Sequence, residues 1–203
     1  MSKFGEARIG GEVGVMRKVC EHSQPMRDYN IIKSTIIVSL AFILAGCATI
    51  PSGVEAVRGF DASRYEGRWY EIARLDHDFE RGLSKVSATY TLRDDGGIDV
   101  LNKGFDEHSG SRKEARGRAY FLKDSTVGCL KVSFFWPFYG GYNVISLDRE
   151  NYSYALVCGP NRSYLWILAR DKTLSHPVID KLVKTAKDSG FKVEGLIFVE
   201  HDN

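Results

Sequence analysis

The sequence lacks an excess of charge of either sign. Its 203 residues hold 28 Lys or Arg against 26 Asp or Glu, a formal charge of +2. Six of the bases and four of the acids lie in the first 46 residues, which leaves 22 of each beyond. A neutral body without a basic stripe is a poor nucleic-acid binder, because phosphate contacts supply most of that affinity. Cysteine is scarce: Cys20, Cys47, Cys129 and Cys158. No two stand at metal-site spacing, so zinc is not expected. The five histidines (His22, His77, His108, His176 and His201) are scattered, which argues against a metal or haem site, and no cofactor is implied. The apolar run at residues 36–45 is too short to span a bilayer as a helix. What is present, 43% hydrophobic and 12% aromatic residues, suffices for one domain with a real core.

The apolar run is preceded by Arg27 and Lys33, the layout of a signal peptide. It ends in Leu44-Ala45-Gly46-Cys47, which resembles the lipobox of bacterial lipoproteins. The resemblance implies cleavage before Cys47 and two or three acyl chains on it. Each buried CH₂ brings about 0.8 kcal/mol, and more than one chain gives stable anchoring. Ala48 stands where an Asp would signal inner-membrane retention, so the outer membrane is expected, with the domain facing the periplasm. Met26 opens a conventional signal peptide and is the expected start. Residues 1–46 are thus an extension plus signal, 47–60 a short lipidated tether with Pro, Gly and Ser, and 61–203 the domain.

From Trp69 onward, short β-rich segments alternate with Gly, Asn and Asp turns. The pattern predicts strands at 69–74, 85–93, 97–105, 113–122, 129–136, 142–148, 153–158 and 164–170. Eight strands at even spacing suit an antiparallel sandwich or an up-and-down barrel. One helix follows, with Ser175 as its cap, Pro177 in its first turn and Gly190 as its stop. Residues 196–199 suit a short ninth strand.

Alternation assigns the faces. Leu130, Val132 and Phe134 alternate with Lys131 and Ser133. Val86, Ala88, Tyr90 and Leu92 alternate with Ser87, Thr89 and Thr91. Ala115, Gly117, Ala119 and Phe121 alternate with Arg116, Arg118 and Tyr120. Small inward residues leave volume unfilled, as a ligand cavity requires.

Three segments carry a resemblance. Gly67-Arg68-Trp69-Tyr70-Glu71-Ile72 looks like the lipocalin G-x-W motif, Asp148-Arg149 sits where the second signature lies, and Trp166-Ile167-Leu168-Ala169-Arg170 resembles the third. The stretches DHDFERGLSKVSATYTLRDDGG, KVSFFWPFYGGYNVISLDRE and YALVCGPNRSYLWILAR read like bacterial lipocalins of the apolipoprotein D-like branch. The resemblance implies an eight-stranded antiparallel up-and-down barrel with one C-terminal α-helix and a short ninth strand. It implies that Gly67, Trp69, Asp148 and Arg170 are structural, with Arg170 lying across the indole of Trp69 at the closed end. It implies a ligand pocket walled by Trp166, Tyr142, Phe134, Val132, Val144, Ser146, Trp136 and Tyr90. Aromatic walls with few polar groups suit an acyl chain, and the resemblance adds fatty acids and lysophospholipids as ligands. It also allows a homodimer. The loop 76–83 would edge the mouth, where His77, Phe79 and Arg81 would meet a head group.

The alternative is a lipocalin-fold enzyme acting on a lipid or isoprenoid, since prostaglandin D synthase is a lipocalin with a pocket thiol. No His stands near Cys129 or Cys158 in sequence, so an activated thiolate is not expected. In up-and-down order the fifth and seventh strands run the same way. Cys129 opens one and Cys158 ends the other, which predicts opposite barrel ends and no disulfide.

Overall fold

The computed structural model describes residues 49–202; the expected signal sequence, the expected start Met26 and Cys47 lie outside them. A one-turn helix α1 (Ala62–Tyr65) leads into strands β1 (Gly67–Leu75), β2 (Leu83–Leu92), β3 (Ile98–Asp106), β4 (Ser111–Phe121), β5 (Cys129–Phe135), β6 (Phe138–Leu147), β7 (Tyr154–Cys158) and β8 (Leu165–Ala169). Helix α2 (His176–Asp188) and strand β9 (Leu196–Phe198) complete the chain. Each strand pairs antiparallel with the next, and β1 closes the sheet by pairing with both β8 and β2. Closure leaves no edge among the eight strands to recruit other chains. β9 pairs with the far end of β1, at Ala73 to Leu75, where β2 has diverged.

The turns follow their chemistry. Asp95 Oδ1 accepts from the Gly97 amide at 3.0 Å, and Gly96 between them adopts a φ of +78° that favours glycine. Pro177 lies in the first turn of α2 as expected. Ser175 stands at the N-cap, yet its side chain makes no capping bond; its carbonyl instead accepts from the amides of Val178 and Ile179.

Two apolar cores result. One fills the barrel interior around Trp69, Leu130, Val144 and Val157. The other lies between α2 and the outer barrel wall, where Leu182 and Ala186 meet Ile72, Leu156 and Ile167. Residues 49–60 of the expected tether are part of this packing. Val54 and Phe60 are buried. The Val57 amide donates to the Val144 carbonyl and the Phe60 amide to the Thr126 carbonyl. Apolar side chains in a short linker gain more from the wall than they lose in freedom.

The two cysteines correct one expectation. Both are buried and free, but they are not at opposite ends. Asn143 of β6 is paired with Cys129 on one side and Cys158 on the other. Register stagger between tilted barrel strands cancels the difference in position along each strand. Two strand spacings, about 9–10 Å, still separate them, beyond the reach of about 7 Å that a disulfide allows.

Candidate functional site

Strand directions set the two ends of the barrel. Connections 93–97, 122–128 and 148–153 lie at one end, and connections 76–82, 107–110, 136–137 and 159–164 at the other. The first end is closed. Trp69 is fully buried there, its ring stacked on Tyr65 at 4.5 Å and its Nε1 donating to the Tyr65 carbonyl. The Arg170 guanidinium lies 4.1 Å above the Trp69 ring, a cation–π contact. The same guanidinium donates to the carbonyls of Arg64, Glu66, Arg68 and Tyr152, tying α1, the start of β1 and the β6–β7 connection together. Gly67 has a φ of +96° and passes close under Arg170, so a side chain there meets both backbone strain and the guanidinium. The Asp148 carboxylate accepts from the Glu150 amide and from the amide and hydroxyl of Ser153, fixing the turn into β7. Each of the four signature residues thus has a packing or turn role in this geometry.

Above this floor the interior opens into a cavity of about 800 Å³, its mouth included. Of the eight residues assigned to the wall, Trp166, Tyr142, Phe134, Val132 and Tyr90 line it. Three do not. Val144 is inside the barrel but packed into the interior core, away from the cavity wall. Ser146 falls beyond a β-bulge between Val144 and Ser146, which resets the alternation and puts Leu147 inward instead. Trp136 is 83% exposed at the tip of the β5–β6 hairpin, after another register shift between Val132 and Phe135. Of the small residues expected to leave volume, Ala119 and Ala88 border the cavity. Ala115 is exposed. Gly117 makes room for a neighbour, since a Cβ there would stand 2.7 Å from the Ser133 carbonyl and 2.9 Å from the Phe134 ring.

The wall is mainly apolar; Ser87 and Asn102 are part of it, and its other polar groups fall in two places. On the floor, the Tyr142 hydroxyl bonds those of Tyr65 and Tyr90, both at 2.8 Å. Burial raises all three phenol pKa values, so the chain stays neutral. Toward the mouth, Glu71 and Glu80 join the wall, 2% and 5% exposed. Arg74 Nη1 donates to Glu71 Oε1 at 2.7 Å, and its Nη2 to the carbonyls of Glu80 and Leu83. Trp166 Nε1 donates to Glu80 Oε2 at 2.9 Å. Burial, and then the charge of Glu80, push the Glu71 carboxyl up to about 8, so it carries a proton at neutral pH.

Sequence reasoning missed both glutamates. Glu71 had a signal, because it shares the parity of Trp69 in the first strand. Glu80 had none, because a loop residue has no periodicity. The loop residues proposed for a head group divide. Phe79 lines the cavity, while His77 is buried, stacked on Phe79 at 4.2 Å. His77 Nε2 lies 3.1 Å from Glu80 Oε2 without hydrogen-bond alignment. Arg81 points away and pairs with Asp76 and Asp78 at the surface. Burial raises both thiols, Cys158 to about 12. Among the described residues no cluster of three His, Cys, Asp or Glu could hold a metal.

Comparison with known proteins agrees with the geometry. A lipocalin-like domain model matches residues 60–201. The chain is 51% identical to the outer membrane lipoprotein Blc of Vibrio cholerae over 169 residues, covering 83% of this chain and 99% of that one. It is 56% identical to Blc of Escherichia coli strain K12 over 162 residues, 79% and 91% of the two chains. Apolipoprotein D of Macaca fascicularis is 30% identical over 168 residues, 80% and 86%. Among solved structures, insecticyanin of the tobacco hornworm Manduca sexta superposes with a TM-score of 0.60 at 20% identity, covering 76% of this chain and 88% of its own. With the closed barrel, the Trp69–Arg170 floor and more than half of the chain matched, the protein belongs to the lipocalin-like family.

Proposed function

We propose that this protein is a lipid-binding lipoprotein of the outer membrane. It is held by acyl chains on Cys47 and stores or carries fatty acids or lysophospholipids without catalysing a reaction. The observation that carries the reading is the cavity: apolar, walled by aromatic rings, open at one end and closed by Trp69 at the other. An acyl chain fits such a wall because it asks for buried apolar area and few hydrogen bonds. The envelope location follows the names of the Vibrio cholerae and Escherichia coli relatives. In this reading residues 1–46 are removed, 47–60 join anchor to barrel, and 61–203 hold the ligand.

The head group belongs at the mouth, beside Glu71 and Glu80. Among the described residues these are the only carboxyls in the wall, and no Lys or Arg lines it. A protonated Glu71 donates a hydrogen bond to a phosphate or carboxylate oxygen instead of repelling it.

The test is a titration of delipidated residues 48–203 with oleate and with lysophosphatidylcholine, followed by tryptophan emission. Saturable quenching that weakens severalfold in Trp166→Phe is expected. A folded sample that responds to neither lipid would sink the reading.

The enzyme alternative needs a reactive thiolate. Raised pKa values predict slow labelling of Cys129 and Cys158 by iodoacetamide at pH 7, far slower than a small free thiol. Fast labelling of either, slowed by bound lipid, would favour the enzyme.

A further inference from the structure

Among the described residues, the exposed phenylalanine and tryptophan rings, Phe198 of β9 excepted, sit on two connections at one end of the barrel. Phe135, Trp136 and Phe138 are 81%, 83% and 67% exposed, and all three sit at the tip of the β5–β6 hairpin. Phe79, also exposed, is on the neighbouring 76–82 connection. Both connections belong to the open end. No charged residue occurs between Lys131 and Asp148, so the whole hairpin tip is uncharged. The acids of the neighbouring rim, Asp76 and Asp78, are paired with Arg81. The closed end has no such tip: among the described residues its connections expose no aromatic ring. A contiguous apolar tip on a soluble domain marks a contact surface.

The path of the N-terminal segment identifies what that surface meets. The Thr49 carbonyl accepts from Asn143 Nδ2 at 3.2 Å, and the Ser52 carbonyl from Arg162 Nη2 at 2.7 Å. Arg162 lies in the 159–164 connection, at the open end. From there the segment descends the wall to Thr126 at the closed end. The described chain therefore begins beside the 159–164 connection, on the open-end side of Thr126. Cys47 is two residues earlier, within about 7 Å of Thr49 by chain length alone. An anchor on Cys47 would thus join the chain on the open-end side of the barrel, the side of the uncharged tip.

We infer that the mouth of the barrel rests on the lipid leaflet, with Phe135, Trp136 and Phe138 immersed at its polar–apolar boundary. The inference rests on the acylated-Cys47 reading for the anchor, and the tip supplies the second contact. One flexible attachment leaves orientation free; an anchor plus an aromatic tip fixes it, since Trp and Phe favour that boundary. A ligand then passes between leaflet and cavity along the Phe79 and Phe134 side of the mouth without crossing water.

The test uses the full lipoprotein reconstituted into phosphatidylethanolamine–phosphatidylglycerol vesicles, with and without brominated phosphatidylcholine. Mass spectrometry of the N-terminal peptide reads acylation of Cys47 separately. The chain has three tryptophans, so wild type should lose about one third of its emission to the brominated lipid through Trp136. Trp136→Phe should abolish that share; quenching that survives in the variant comes from lipid beside Trp166. Aqueous iodide should fail to reach Trp136 in vesicles. Equal bromolipid quenching in wild type and variant, with iodide reaching Trp136, overturns the inference while the anchor stands. Shielding of Trp136 from both quenchers also overturns it, and points to a second copy of the chain on the tip. Trp136 quenched by bromolipid with no acyl chain on Cys47 supports the tip and refutes the anchor. A chain that does not float with vesicles refutes both.

Discussion

Trp69→Ala is expected to lower the unfolding free energy by about 3–5 kcal/mol, the range for deleting a large buried aromatic ring. The ring is fully buried and stacked on Tyr65, and Arg170 lies over its other face. Removing it opens a void at the closed end and takes away the acceptor face that a partly buried guanidinium rests on. The Tyr65 carbonyl also loses its donor. Urea unfolding read by circular dichroism gives the number through the midpoint at constant slope. Trp69→Phe keeps most of the stack and should cost clearly less. A loss under about 1 kcal/mol for Trp69→Ala would mean that the floor is held by the Arg170 hydrogen bonds and not by the ring.

The second large effect is a pH dependence that Glu71→Gln should remove. The folded pKa of Glu71 is raised to about 8 from an ordinary 4.5, first by burial and then by the charge of Glu80. Between those values the folded state holds a proton that the unfolded chain has released. Its contribution is therefore complete below about pH 4.5 and is lost as pH rises toward 8, at no more than about 1.4 kcal/mol per pH unit. A glutamine keeps an oxygen for Arg74 and has no proton to lose. Glu71→Gln should match wild type near pH 4.5 and exceed it by on the order of 2–4 kcal/mol at pH 8. Urea midpoints across pH 4.5–8.5 decide it. A variant weaker than wild type at every pH would show that Glu71 is ionised, with its Arg74 pair net stabilising. The same titration bears on the ligand: above pH 8 Glu71 is charged, and an anionic head group should bind less well.

Much of this protein is legible in its sequence. Eight strands, the helix and the ninth strand follow from alternation of period two, a single stretch of helical period and the Gly and Asp turns between them. The residues of the G-x-W segment and Arg170 were legible because their spacing is fixed along each strand. Parity also placed Tyr90, Val132, Phe134, Tyr142 and Trp166 on the cavity wall. It failed at Ser146 and Trp136 for one reason: each follows a bulge, and a single extra residue reverses every later assignment on that strand.

What the sequence determined by itself was therefore periodic or local: strand existence, inward faces up to the first bulge, turn chemistry and the signal peptide pattern. Tertiary structure decided what depends on how strands are staggered and where loops fold. Stagger brought Cys129 and Cys158 to either side of Asn143, against a count along the strands. Loop folding carried Glu80 onto the Trp166 indole and left Arg81 outside. Packing of the N-terminal segment along the wall put the start of the described chain beside the 159–164 connection. These depend on contacts between residues far apart in the chain, set by burial and register, and neither leaves a repeat in the sequence from which it could be read.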